Sequence, residues 1–198
     1  MSLITTRRHA LALTALLASA LPAWAADAPP PLHFVLDPAR SSLEFNFLQA
    51  GAQNKGRFRH FTVSFDFSAD TLAASRLEVV IDMTSLDTGD QERDDTLRDA
   101  DLFAVKKFPQ ARFSAAQIVK SATGYEAVGK LTIRDVTREL RVPFSFRTAP
   151  EGGVTAGYMT GKTALKRLDY GVGQGDWKAT DQVPNDVGVS FNLRLTPH

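Results

Sequence analysis

The feature that most constrains the fold is a period-two alternation of apolar and polar residues, which recurs along most of the chain. FTVSFDF at 61–67 and ELRVPFSF at 139–146 both follow it, and VGVSFNLRL at 187–195 repeats it near the end of the chain. A strand of this kind has one face towards water and one towards a core, which is typical of antiparallel sheets.

The number of such segments predicts a closed sheet. Eight alternating segments occur, at 41–47, 61–67, 77–83, 111–119, 129–134, 139–146, 154–165 and 187–195. A sheet of about eight strands can close on itself, which removes the edge strands that invite aggregation. We therefore predict an all-β protein, an antiparallel β-barrel of about eight strands with one short helix.

The helix is expected in the one segment that breaks the alternation, TGDQERDDTLRDADLFAVKKF at 88–108. Its good helix formers and acidic opening predict a short helix near Gln91 to Asp99, with Leu97 directed inwards. The acidic residues do not have the spacing of a calcium loop, and Arg93 and Arg98 lie among them. A solvated, salt-bridged helix is the better interpretation, and no metal site is expected.

The first 25 residues have the composition of a secretory signal peptide. A basic start is followed by an apolar run at 10–21 and by Ala23-Trp24-Ala25, a small-x-small cleavage pattern. The run is well short of the ~20 residues that span a bilayer. We expect a cleaved signal peptide at 1–25, one domain at 26–198, and no transmembrane segment in the mature chain.

The composition argues against several classes of function. The chain has no Cys and a formal net charge of +1, so neither a disulfide framework nor a nucleic-acid partner is expected. Outside the leader and the final residue, the histidines are His33 and His60, too few for a convincing metal centre. No G-x-S-x-G is present. Paired carboxylates such as Asp87 and Asp90 leave acid–base catalysis open, although such pairs are common on protein surfaces.

Phenylalanine is abundant, with 13 residues, and most fall on the apolar side of the alternation. Barrels of this size contain either a filled core or one small ligand. The alternation by itself leaves both possibilities open.

The stretch RLDYGVGQGDWKAT, Arg167 to Thr180, is glycine-rich but does not resemble a phosphate-binding loop. A dinucleotide fingerprint requires a third glycine where this chain has Asp176, with a strand before and a helix after. The glycines instead indicate positive φ angles and a tight bend before the last strand. Tyr170 and Trp177 flank this bend and would close one end of the barrel.

Three segments together resemble the YceI-like polyisoprenoid-binding family. They are SLDTGDQERDDTLRDADLFAVKKFPQARF at 85–113, GKLTIRDVTRELRVPF at 129–144 and KRLDYGVGQGDW at 166–177. The resemblance covers the chain from about Phe34 to Leu195. Asp135 stands where the family's hairpin usually has Gly, and we expect a positive φ at this position.

The resemblance implies a lipocalin-like barrel in the periplasm whose apolar tunnel holds a long isoprenoid or similar amphiphile. It carries over no catalytic residues and no cofactor. The GQGDW form of the last motif resembles the branch of the family found beside membrane di-haem cytochromes. From this resemblance we expect that the ligand could be quinone-like and that a membrane cytochrome could be a partner.

The tunnel should be lined by inward-facing apolar side chains from the strands, the helix and the glycine-rich bend. The residues expected there are Phe45, Phe47, Phe65, Ile81, Leu97, Phe103, Phe113, Ile133, Phe144, Tyr158, Tyr170 and Phe191. A head group would lie at the mouth near Arg93, Arg167 or Trp177, which could equally serve in surface salt bridges and packing. Two alternatives remain: an enzyme acting on the bound lipid or quinone through Asp87 or Asp94, and a filled barrel that acts only through protein contacts.

Overall fold

The computed structural model describes residues 29–198, so the predicted signal peptide lies outside the described residues. Eleven strands and one α-helix form within this range. In chain order they are β1 Leu32–Leu36, β2 Ser42–Gln49, β3 Ala52–Phe58, β4 Phe61–Phe67, β5 Arg76–Asp82, β6 Leu86–Asp87, α1 Gln91–Arg98, β7 Gln110–Ser121, β8 Gly124–Ile133, β9 Val136–Glu151, β10 Val154–Lys166 and β11 Asp186–Pro197.

Eight of the strands close into an antiparallel barrel. Their order around the barrel is β1-β4-β5-β7-β8-β9-β10-β11, and β11 pairs back onto β1 through Phe34↔Pro197 and Leu36↔Leu195. The prediction of an antiparallel barrel of about eight strands with one helix is confirmed.

The sheet extends beyond the barrel because β11 is longer than β1. One edge of β11 pairs with β10 along its length, whereas the other edge pairs first with β2, from Gly188 to Asn192, and then with β1. Strand β2 continues into β3 and β6. The segment at 41–47, predicted as a strand, therefore belongs to this extension, and β1, β3 and β6 were not predicted.

The helix lies where the sequence places it, over Gln91–Arg98. The Asp90 carboxylate caps its N-terminus by accepting a hydrogen bond from the Arg93 backbone N–H at 3.0 Å. The buried Asp94 carboxylate accepts hydrogen bonds from the Thr88 backbone N–H at 2.8 Å and the Thr88 hydroxyl at 2.7 Å. These contacts fix the segment that enters the helix.

The hairpin between β8 and β9 differs from the prediction at one residue. Ile133 pairs with Val136, so the turn has two central residues, as expected. The positive φ, however, belongs to Arg134, at 56°, and not to Asp135. Two-residue hairpins accept a positive φ at the first central position, and the Arg134 guanidinium donates hydrogen bonds to the Ala100 and Leu102 carbonyl oxygens.

One end of the barrel is filled by aromatic rings. Successive centroids lie 4.8–5.9 Å apart, mostly edge to face. This aromatic floor consists of Phe34, Phe65, Phe67, Tyr125, Phe144 and Phe146. Phe34 and Phe65 are at most 1% exposed, so the floor closes this end of the barrel.

Candidate ligand-binding cavity

The end of the barrel opposite the aromatic floor contains a cavity of about 460 Å³. This volume lies within the range of about 300–1,000 Å³ that small-molecule sites occupy. Its walls come from β2, the ends of β3, β5, β8 and β10, the starts of β7 and β11, helix α1 with the loop after it, and the segment after β10. Most of the lining side chains are aliphatic or aromatic.

Ten of the residues expected at the site lie on the wall of this cavity. They are Phe45, Phe47, Ile81, Leu97, Phe103, Ile133, Tyr170, Arg93, Arg167 and Trp177. Phe113 and Phe191 line a smaller cavity of about 90 Å³ deeper in the barrel. Phe65, Phe144 and Tyr158 are not among the residues that line either cavity.

The placement of these last three residues corrects the predicted lining. Phe65 and Phe144 do face inwards, but both are part of the aromatic floor and are 0% and 4% exposed. Tyr158 lies between the buried Gly157 and Met159 on β10 and therefore faces the opposite, outer side. Its hydroxyl donates a hydrogen bond to Glu151.

Several wall residues were missed by the sequence reasoning. Leu43, Val187 and Val189 show the same alternation as the predicted residues, so the pattern contained the signal. Phe58, at the end of the unpredicted β3, and Leu102, in the loop after α1, carry no such pattern. Their positions depend on contacts distant in sequence.

Gly56 leaves room for the Phe45 ring on the cavity wall. Phe45 pairs with Gly56 on β3, and a Cβ atom at Gly56 would lie 2.3 Å from the Phe45 Cζ atom. The tip of the ring therefore packs directly over Gly56. A larger residue at position 56 would force the ring towards the space that a ligand would occupy.

Arg167 holds the segment that closes the cavity. Its Nε donates to the Pro184 carbonyl at 3.2 Å. Its two terminal nitrogens donate to the carbonyls of Val172, Trp177, Ala179 and Val183 at 2.7–3.0 Å. All five N–H donors of the guanidinium are thus used, and the residue is only 6% exposed. Burial lowers the pKa of this guanidinium from its ordinary value.

This arrangement distinguishes the two roles considered for Arg167, contact with a head group and structural packing. The structure favours the second, because its donors are occupied by backbone carbonyls within its own chain segment. Arg167 therefore positions the residues at 171–185, which we call the lid. The lid supplies Val172, Trp177 and Val183 to the cavity wall.

The glycines of the lid have positive φ angles, as the sequence indicates. Gly173, at 122°, is the most constrained of them, because a Cβ atom there would lie 2.0 Å from Arg167 Nη1. The backbone N–H groups of Gly173 and Gln174 donate to the Asp101 carbonyl at 3.0 and 2.8 Å. The lid is thereby joined to the loop after α1, and the two together cover the barrel end.

The polar part of the cavity wall lies beside helix α1. It consists of Gln49, Asp90, Glu92, Arg93 and Thr96, together with the buried Arg167. Arg93 Nη2 lies 3.8 Å from Asp90 Oδ2, a loose and partly exposed ion pair. Among the lining residues described, two carboxylates thus balance two guanidinium groups.

Two of the three carboxylates considered for catalysis, Asp87 and Asp94, have structural partners. Asp87 pairs with Arg57 at 2.9 Å and Arg59 at 2.7 Å, and the hydrogen bond from Arg57 is the main cause that lowers its pKa. Asp94 accepts the two hydrogen bonds from Thr88 described above. Neither residue lines the cavity, whereas Asp90 does line it and also caps helix α1. Within residues 29–198, no group of three His, Asp or Glu side chains is placed to hold a metal ion.

Comparison with known proteins identifies the family. The model of the YceI-like domain matches residues 34–195. This chain belongs to the YceI-like family. A UPF0312 protein of Vibrio parahaemolyticus is 34% identical to the YceI-like chain over 165 residues, which cover 79% of this chain and 84% of the relative. A UPF0312 protein of Yersinia enterocolitica is 39% identical over 106 residues, 52% of this chain and 55% of the relative.

Solved structures share the YceI-like barrel. BcnA of Burkholderia cenocepacia is 30% identical with a TM-score of 0.73, over 80% of this chain and 98% of BcnA. A polyisoprenoid-binding domain from Saccharophagus degradans, described as implicated in plant cell wall breakdown, has a TM-score of 0.61 at 17% identity. That match covers 84% of this chain and 99% of the domain, and it shows the fold.

Proposed function

We propose that this protein binds a long-chain polyisoprenoid or similar amphiphilic lipid in the barrel and keeps its tail out of water. The observation that carries the proposal is the apolar cavity of about 460 Å³ under the lid. A structural relative described as a polyisoprenoid-binding domain supports the same class of ligand. The proposed role is that of a carrier, without chemical change of the lipid.

The wall of the cavity suits an apolar tail. Burial of a methylene group stabilises a complex by about 0.8 kcal/mol, so a long tail needs few polar contacts to bind tightly. Hydrocarbon surface comes from β2, β5, β8 and the loop after α1, through Phe45, Phe47, Ile81, Ile133 and Phe103. The partly buried state of Ile81, Phe103 and Ile133 is consistent with side chains that border open space.

The charges at the mouth favour an uncharged polar head group. Asp90 and Glu92 lie next to Arg93, and the guanidinium of Arg167 has no free donor for a phosphate. A quinone or an alcohol would accept or donate hydrogen bonds there without adding charge. A quinone-handling membrane cytochrome as exchange partner rests on the resemblance of the GQGDW segment alone.

Native mass spectrometry of the protein from its own host provides the test. We expect an added mass that organic solvent releases as an isoprenoid lipid. In reconstitution, a neutral isoprenoid quinone should bind more tightly than a polyprenyl phosphate of equal tail length. Phe47→Trp should reduce the bound lipid because the larger ring enters the cavity, whereas Tyr158→Phe, on the outer surface, should not. A folded protein that binds neither lipid would rule out the proposal.

The periplasm is the proposed location, because residues 1–25 have the pattern of a cleaved leader. Among residues 29–198, no helix has the length and hydrophobicity that crossing a bilayer requires. N-terminal sequencing of protein released by osmotic shock should begin at Ala26. Recovery of the intact leader in the soluble pool would contradict this location.

A further inference from the structure

The interior of the barrel has three levels: the large cavity, the small cavity and the aromatic floor. The inward-facing residues of a single strand pass through them in this order. On β11, Val187 and Val189 line the large cavity, and Phe191 and Leu193 line the small cavity of about 90 Å³. Leu195, the next inward residue, is fully buried beside the aromatic floor. Strand β5 has the same order, from Ile81 and the next inward residue, Met83, at the large cavity down to Leu77 and Val79 at the small one.

Two side chains line both cavities and so form part of the partition between them. Leu43, on β2, pairs directly with Phe191, and Ile81, on β5, pairs directly with Phe61. Leu43 is 7% exposed, whereas Ile81 is half-buried. This part of the partition therefore consists of two aliphatic side chains from strands that do not pair with each other.

The small cavity differs from the large one in its chemistry. Every residue that lines it is Leu, Ile, Val, Met or Phe. Its volume is about three times the ~30 Å³ that a water molecule occupies in the liquid, and no polar side chain there would hold water. A dry cavity of this size suits the branched end of a hydrocarbon chain.

We propose that the small cavity, behind the partition of Leu43 and Ile81, receives the end of the lipid tail and sets the preferred tail length. This inference rests on the proposed lipid-binding function. A head group at the mouth beside α1 fixes one end of the ligand, and the aromatic floor stops the other end. Inward residues from Val187 to Leu193 span about 20 Å at the usual rise of a strand, which limits the tail that fits.

A series of all-trans prenols that differ by one isoprene unit tests the proposal. In the unmodified protein, affinity measured by titration in native mass spectrometry should rise with each unit until both cavities are filled and then remain constant. Phe191→Trp fills the small cavity, so the rise should end at a shorter prenol. Affinity for the best prenol of the unmodified protein should fall at least about tenfold, since burial of its last unit is lost. Short prenols should bind within about twofold of the original affinity.

A second variant and a control separate the possible outcomes. Val79→Phe, on β5, fills the small cavity from another strand without lining the large one, and should give the same length-dependent loss even if Phe191→Trp does not fold. Val189→Phe, two residues away on the same face of β11, fills the large cavity and should weaken all prenols alike. If Phe191→Trp and Val79→Phe lose the same affinity for prenols of every length, or lose none, the inference is overturned while lipid binding stands. A protein that binds no prenol overturns the proposed function as well.

Discussion

Replacement of Arg167 by Met is expected to lower the free energy of unfolding by about 3 kcal/mol or more, because five backbone carbonyls lose their donor together. Met fills similar volume but donates no hydrogen bond. The Val172, Trp177 and Val183 carbonyls can then regain partners only when water enters and the lid opens. At 2–4 °C per kcal/mol for a domain of this size, the melting temperature should fall by roughly 6–12 °C.

Two further variants show whether the loss of stability in Arg167→Met comes from the geometry of the guanidinium or from its charge. Arg167→Lys keeps the charge, but its ammonium group has three donors at one point and cannot reach carbonyls spread from Val172 to Pro184, so most of the loss should remain. Arg141→Met removes an exposed arginine paired with Glu126 at 2.6 Å and should cost less than about 1 kcal/mol. Hydrogen exchange should become faster in residues 171–185. A melt of Arg167→Met within a degree of the unmodified protein would show that the lid does not depend on this residue.

Seven of the eight barrel strands could be predicted because each side chain's face is set locally. Alternation over six or more residues decides which face is buried, and the acidic opening at 90–95 decides where the helix starts. Strands β1, β3 and β6 escaped the prediction for physical reasons. Strand β6 has two residues and β1 has five, so both depend on pairing with strands distant in sequence. Strand β3 forms a hairpin with β2, but its sequence AQNKGRF has no apolar alternation.

The distinction between packed and cavity-lining positions could not be read from the sequence. Phe45 and Phe65 both occupy the apolar side of an alternating segment, yet one borders the cavity and the other belongs to the floor. The difference comes from what lies across the barrel, which no local pattern records. Tyr158 was misplaced because VTAGYMTGKTAL alternates weakly, and its glycines give no indication of which face is buried.

Arg167 illustrates the same limit for a polar residue. Its position in RLDYGVG suggested a basic group near the mouth, and the structure does place it on the cavity wall. Its five acceptors are main-chain oxygens from residues 172–184, and every residue type has such an oxygen. The sequence therefore carries no signal for this network. Gly173 is the one residue type that the network requires, because a side chain there would collide with the Arg167 guanidinium.

Truncation of two phenylalanines should separate the packed end of the barrel from the open end. Phe65→Ala should lower the free energy of unfolding by about 3–5 kcal/mol, because the ring is 0% exposed and contacts Phe67, Phe144 and Phe146. Phe47→Ala should cost clearly less. Its ring already borders the cavity, so removing it enlarges an existing space and breaks fewer close contacts.

Chemical denaturation of both variants, together with measurement of the lipid bound to each, distinguishes a barrel with an open cavity from one with a filled core. Folded Phe65→Ala should retain the lipid, since Phe65 lines neither cavity, whereas Phe47→Ala should bind it more weakly. Phe65→Ala should therefore lose more stability than Phe47→Ala, whereas Phe47→Ala should lose more affinity for the lipid. A barrel with a filled core would instead lose a similar amount of stability at both positions, because both rings would be fully packed. Equal destabilisation, together with the absence of lipid from the unmodified protein and from both variants, would therefore favour a protein that acts through its surface over a lipid carrier.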